Sequence, residues 1–113
     1  MLFRSYAGNL ENLESVASDA RYRFVRGSIC DPAAVEEAAA DCEAIVNFAA
    51  ETHVDRSIDD PALFLSTNIE GPRVLMDHAR RHGLRYVQVS TDEVYGSLGP
   101  EGLFTEKIGR AHV

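Results

Sequence analysis

Apolar residues fall into short runs separated by stretches of helical spacing, and two of those stretches open on an aspartate–proline pair. Ala44–Phe48 (Ala-Ile-Val-Asn-Phe) is the clearest run. Such nearly continuous apolar character suits a parallel strand buried on both faces. Arg85–Ser90 reads as another strand. Tyr22–Gly27 reads as a shorter one, carried by the strand formers Tyr22, Phe24 and Val25. Asp31-Pro32 predicts a helix start, with Asp31 as N-cap, Pro32 in the first turn, and Glu36 and Glu37 near the positive end of the dipole. The alanine-rich run Ala33–Ala40 continues that helix. Asp60-Pro61 repeats the signature and opens a helical stretch to His82, with Leu75, His78, Ala79 and His82 on one face. Arg80, Arg81 and His82 suit its negative end, and Gly83 can close it. Pro72 lies inside this stretch. There it removes a backbone bond and crowds the carbonyl of Asn68, at a cost of ~3 kcal/mol, so a kink or break is expected at Gly71-Pro72. Gly96–Glu106 reads as loop. Alternating strands and helices predict an α/β fold with right-handed crossovers and a parallel sheet.

Composition adds little to this picture. At 113 residues, 45% hydrophobic and 26% charged, the chain fits one soluble domain or part of one. No apolar run approaches the ~18 residues of a membrane span, and the start lacks the apolar core of a signal peptide. A cytoplasmic protein is expected. Cys30 and Cys42 fit no metal or redox spacing and read as buried free thiols.

The two ends change the charge. Leu2–Ser5 and Ile108–Val113 match peptides encoded by the two arms of a common sequencing adapter. Residues 1–5 and 107–113 are therefore expected to be non-native, leaving 6–106 as the protein segment. Without Arg4, Lys107 and Arg110, eight basic residues face 18 acidic ones, and the net charge moves from −7 to −10. No basic face exists for nucleic acid, and a negative surface gives no reason to expect an anionic membrane as partner.

In open parallel sheets, ligands bind beyond the carboxyl ends of strands. Two such ends are unusually polar: Ala49–Ser57, and Ser90–Gly96 with its Thr91, Asp92 and Glu93. Ala49 and Ala50 allow a flat cofactor close to the backbone. Paired carboxylates can divide acid and base work, because neighbouring charges push their pKa values apart. For a bare Asp-Glu pair a solvated acidic turn is the commoner explanation; placement at a strand end favours a site, and spacing alone does not choose between them. His53, His78 and His82 offer no third metal ligand at suitable spacing and read as surface or core histidines, so no metal is expected. Gly96, Gly99 and Gly102 mimic a phosphate loop, but Pro100 and the lack of a following helix argue against one.

The runs Ser90-Thr-Asp-Glu-Val-Tyr-Gly96 and Ala49-Ala-Glu-Thr-His-Val-Asp-Arg-Ser57 together resemble the dTDP-glucose 4,6-dehydratases of the extended short-chain dehydrogenase/reductase superfamily. Tyr6–Leu10, Ile29–Asp31 and Thr67-Asn68 match in the same order. The resemblance implies a partial Rossmann-like doubly wound parallel sheet lacking its first two strands. It implies NAD as cofactor, dTDP-glucose as substrate and a homodimeric full-length protein. By this resemblance Thr91 meets the sugar 4-hydroxyl, Asp92 protonates the departing 6-hydroxyl and Glu93 removes the C5 proton. Phe48, Ala49, Ala50, Glu51, Thr52 and Thr67 fall where the family contacts NAD, Ser28 and Ile29 lie beside the adenine, and Thr52 also falls at substrate. The implied reaction is a closed redox cycle: oxidation at C4, loss of water across C5–C6, and hydride return to C6. Another nucleotide-sugar epimerase or decarboxylase, or a non-catalytic nucleotide-binding segment, is the alternative.

Three positions depart from the family pattern. Ser28 stands where Asp is common, Thr52 replaces Ser and keeps the hydroxyl, and Pro72 stands where a helix-compatible residue is usual. The family's Tyr-x-x-x-Lys pair is not among these residues. Four positions after Tyr6, Tyr22, Tyr86 and Tyr95 stand Leu10, Arg26, Ser90 and Gly99. The first strand, the glycine-rich turn and the ribose-binding acid are not among them either. In the strand order 3-2-1-4-5, Ala44–Phe48 should pair in parallel with Arg85–Val89. Tyr22–Gly27 would lie three spacings away, about 14 Å at ~4.8 Å each. It should therefore either close that gap or detach.

Overall fold

The structure, a computed structural model, describes residues 9–52, 58, 60–96 and 102–103, and of Asp92 and Glu93 the backbone alone. The expectations for residues 1–5 and 107–113, and for most of Gly96–Glu106, lie outside these residues. A 3-10 segment Leu10–Val16 comes first, capped by Asn9, whose side chain accepts from the Glu11 amide at 3.0 Å. Helix α1 spans Pro32–Ala39. Asp31 caps it, accepting from the Ala33 amide at 3.0 Å, and Pro32 occupies the first turn where no amide donor is needed. Strands β1 (Ala44–Asn47) and β2 (Arg85–Gln88) pair in parallel, Ala44 opposite Arg85 through Asn47 opposite Gln88. That is the pairing expected for neighbouring fourth and fifth strands.

The long helical stretch divides as its proline requires. Helix α2 (Pro61–Leu65), capped by Asp60, passes into a π-helical turn Ser66–Glu70 and then into α3 (Gly71–His82). Pro72 cannot donate to the Asn68 carbonyl. Opening the helix to i→i+5 geometry just before it relieves both the missing bond and the ring clash. Gly71 is tight for a second reason: a Cβ there would lie 2.3 Å from Cδ1 of Ile29. Gly83 ends α3 in the left-handed region (φ 68°).

Ile29, Val35, Val74 and Leu75 form the core, with Cys30, Ile45, Ala49 and Tyr86 packed against it. Thus α1 and α3 cover one face of the sheet. Among the described residues no helix covers the other face: Val46 and its partner Val87 are 53% and 52% exposed, and Phe48 and Val89 are exposed beyond them.

Two expectations are corrected. Tyr22–Gly27 is not a strand of the sheet and stands detached from it, one of its two expected outcomes; it keeps a single bridge residue, Arg26. Strand propensity needs a neighbouring ladder, and the strand it would flank in a Rossmann order is not among these residues. Cys42 is exposed rather than buried, while Cys30 is half-buried with its thiol 3.1 Å from the Ser66 carbonyl. Among the described residues, no helix is long and apolar enough to cross a membrane.

Candidate active site

Parallel pairing puts the carboxyl ends of β1 and β2 at one edge of the sheet, so Phe48–Thr52 and Val89–Thr91 leave side by side. The Val89 amide donates to the Asn47 carbonyl at 3.0 Å, carrying the pairing up to that edge. Asn47 is buried and does two jobs. Its Oδ1 accepts from the Ala49 amide at 3.0 Å, turning the chain out of β1, and its Nδ2 donates to Gln88 Oε1 at 3.0 Å. The Tyr86 hydroxyl donates to the same Gln88 oxygen. Burial pushes the Tyr86 phenol above its ordinary pKa, a hydrogen bond from Asn47 opposing in part, so it stays protonated as a donor. Beyond β2, Asp92–Tyr95 wind into a 3-10 turn.

The π-helical turn holds the other side of the edge. Asn68 Oδ1 accepts from the Glu51 amide at 2.8 Å, and Asn68 Nδ2 donates to the Glu51 carbonyl at 2.8 Å. This reciprocal pair fixes the backbone of a buried residue in a loop that lacks ladder partners. Thr67, next to Asn68, is wholly buried, and its hydroxyl has no hydrogen-bond partner. Cys30 bonds to Ser66, and Ile29 shares a core with Ala49, so Ser28–Cys30 reaches the same region. Ser28 Oγ accepts from the Cys30 amide at 3.2 Å.

The structure therefore brings together three of the segments singled out from sequence: Ser28-Ile29, Phe48–Thr52 and Thr67. Ile29 is a core side chain, so a ligand at this position would meet its backbone. Glu51 is buried, Ala49 half-buried, and Phe48, Ala50, Thr52 and Thr91 are exposed. The backbone of Asp92 and Glu93 starts the 3-10 turn directly after Thr91; their side chains lie outside the described set, as does His53. Sequence reasoning missed Asn47 and Asn68 as positioning residues. A signal existed in each case: an amide inside an otherwise apolar strand, and an amide four positions before the proline that opens the helix.

These features fit a dinucleotide cofactor of the NAD type. A buried hydroxyl without a partner faces desolvation without compensation, which a bound polar group can relieve. The alanines leave room for a flat ring at the strand edge. An α/β layer with its polar loops at the carboxyl ends of parallel strands defines a Rossmann-type fold. A family model described as GDP-mannose 4,6 dehydratase matches residues 2–109. The chain belongs to this GDP-mannose 4,6-dehydratase family. It is 54% identical over 104 residues to a dTDP-glucose 4,6-dehydratase of Streptomyces niveus, covering 91% of this chain and 31% of that protein. The crystal structure of a dTDP-glucose 4,6-dehydratase from Bacillus anthracis in complex with NAD superposes with a TM-score of 0.81 at 38% identity, over 96% of this chain and 34% of that one. A UDP-glucose 4-epimerase from Brucella ovis in complex with NAD gives a TM-score of 0.59 at 31% identity, over 66% of this chain and 24% of that one. The chain thus spans about a third of the length of the dehydratases it matches, and the fold is a partial Rossmann-like sheet.

Proposed function

We propose that this chain is the middle of the NAD-binding half of a dTDP-glucose 4,6-dehydratase, a lyase that converts dTDP-glucose to dTDP-4-keto-6-deoxyglucose. The observation that carries the reading is the apposition of Phe48–Thr52 and Thr91–Glu93 at the shared carboxyl edge of two paired parallel strands. Similarity to dTDP-glucose enzymes supports dTDP-glucose over GDP-mannose as the sugar nucleotide. The Asp92-Glu93 pair counts against an epimerase, which commonly has small uncharged residues at these positions.

Phe48, Ala49, Ala50, Glu51, Thr52 and Thr67 would hold NAD along the strand edge, with Ser28 and the Ile29 backbone beside the adenine. When bound, NAD supplies hydride acceptance at C4 and hydride return to C6. Thr91 orients the sugar by a hydrogen bond to its 4-hydroxyl, and Thr52 contacts it from the facing loop. Glu93 takes the C5 proton, which the adjacent 4-keto group makes acidic. Asp92 gives a proton to the departing 6-hydroxyl, so that water leaves across C5–C6. One group must accept while its neighbour donates, and adjacent carboxyls are suited to that division. The base for the 4-hydroxyl is not among these residues, so the isolated chain is inactive. The full-length protein is proposed to be a cytoplasmic homodimer that retains NAD through the closed cycle.

The test uses the full-length protein that contains this segment. Glu93→Gln should leave C4 oxidation of dTDP-glucose in place, seen as reduced cofactor on the enzyme, and should suppress deuterium uptake at C5 from D2O by about a hundredfold or more. Wild-type deuterium uptake in that variant overturns the assignment of Glu93. Turnover of dTDP-glucose by the 113-residue chain overturns the view that it is incomplete.

A further inference from the structure

Away from the strand edge, the fold builds a cluster that local spacing does not show. His78 and His82 lie one turn apart on α3. Glu36, on α1, is brought against them from more than forty positions earlier in the chain. Glu36 Oε2 lies 3.2 Å from His78 Nδ1 and 3.4 Å from His82 Nε2, and the three donor atoms lie within 4.8 Å of one another. Both imidazoles thus converge on a single carboxylate oxygen. His78 is only 3% exposed, and its Nδ1 is buried with no hydrogen-bond partner, the Glu36 contact being close but not aligned as one. A buried ring nitrogen without a partner is costly, and it points into this cluster.

We propose that Glu36, His78 and His82 form a zinc site that staples α1 to α3. Zinc takes nitrogen and carboxylate oxygen at about 2.0–2.2 Å in tetrahedral geometry, which sets donor–donor edges of about 3.3 Å. The two edges through Glu36 Oε2 already have that length. The third closes by rotation of His82, whose ring stacks on His78 at 4.3 Å and 24° and is partly exposed, so it is free to turn. Two histidines and one glutamate leave a fourth position for water, and the nitrogen-rich set favours zinc over magnesium or calcium. The acidic chain, at −7, adds a favourable field for a cation. Zinc binding satisfies His78 Nδ1 and cross-links the two helices that cover the sheet. Since α3 runs from His82 directly to the start of β2, the cluster lies at the amino end of the strands, opposite the candidate active site, and the proposal does not depend on the dehydratase reading.

The experiment is calorimetric titration of the 113-residue chain with ZnCl2, alongside a Cys42→Ser form that removes the exposed thiol. Both should bind one zinc ion per chain and melt at a higher temperature with it, and MgCl2 should do neither. Glu36→Gln and His82→Ala alter exposed side chains, so the fold, checked by circular dichroism, should persist. Each should weaken zinc binding by at least about tenfold, since even an outer partner of a metal ligand is worth that much. Cobalt(II) should give the visible absorption of a low-coordinate site, lost in both variants. No zinc binding by the wild-type chain, unchanged affinity in both variants, or binding that disappears with Cys42→Ser would each overturn the proposal.

Discussion

The two faces of the β1–β2 sheet have the same kind of sequence and opposite surroundings. On one, Ile45 and Tyr86 pack under Val35, Val74 and Leu75. On the other, Val46 and Val87 pair across the ladder with half their surface open to water, and Phe48 and Val89 extend the same apolar strip. Parallel strands are apolar on both sides because a doubly wound fold covers both with helices. Here α1 and α3 both lie on one side. A strip of this kind is a packing surface, and the enzymes that this chain resembles are about three times its length. The difference teaches that the apolar pattern of a strand records the layers of a complete domain, whichever of them a given stretch of chain supplies.

The comparison breaks most sharply at Leu75. Leu75→Ala should destabilise the chain by about 2–5 kcal/mol, because it empties the covered face, whereas Val46→Thr on the bare face should change stability by less than about 0.5 kcal/mol. Urea denaturation followed by far-UV circular dichroism measures both. Equal losses would mean that the bare face is covered in solution. Val46→Thr should instead lower aggregation, read by light scattering, because an apolar strip beside open strand edges invites self-association. The wild-type chain is expected to be marginally stable, and a melting temperature of purified monomer as high as the ~45–65 °C of mesophile domains would contradict this.

Asn68→Ala comes next. It strips the Glu51 amide and carbonyl of their partners, at about 1–3 kcal/mol for a buried group left unsatisfied. Amide exchange at Glu51 should accelerate more than exchange in β1; equal acceleration would mean that Asn68 supports the sheet generally rather than the loop. Gly71→Ala should cost about 1–3 kcal/mol by overpacking against Ile29. Ile29→Val removes the Cδ1 atom that stands 2.3 Å from the added methyl, so the double variant should recover part of the loss. Additive losses would place the clash elsewhere.

The smallest effect belongs to the exposed side of α3. Arg73 bonds to Glu70 at 2.6 and 2.8 Å and holds its carboxyl below the ordinary value of 4.5. A carboxylate with a lowered folded pKa contributes stability above its unfolded value and loses it as pH falls through the folded one. The contribution should therefore be present at neutral pH and disappear below pH 4.5. Solvent screening keeps it small. Arg73→Ala should flatten this part of the acid stability curve, and an unchanged curve would show the pair to be inert.

Much of the scaffold was legible in the sequence for local reasons. Asp31-Pro32 and Asp60-Pro61 carry their own caps, and Gly83 carries its own stop. Pro72 cannot sit in an undisturbed helix, so an irregularity beside it was certain on steric grounds, although its form as a π-helical turn from Ser66 to Glu70 was not. The apolar runs Ala44–Phe48 and Arg85–Ser90 gave the strands, and the family resemblance gave their pairing. Thr91, Asp92 and Glu93 were singled out by the family resemblance rather than by spacing, and the fold adds that they follow a strand end beside Phe48–Thr52.

The sequence by itself determined the identity and order of these elements, because caps, prolines and apolar periodicity act over a few residues. Tertiary structure alone decided what depends on partners distant along the chain. Tyr22–Gly27 has the composition of a strand but, among the described residues, no ladder beside it to complete its hydrogen bonds, and it keeps only the bridge residue Arg26. Asn68 became a clasp because the π-helical turn placed its amide against the Glu51 backbone. His78 and His82 lacked a third partner until the packing of α1 on α3 brought Glu36 to them. Hydrogen bonds and ligand sets are satisfied in space, and distance along the chain does not report distance across a packed interface.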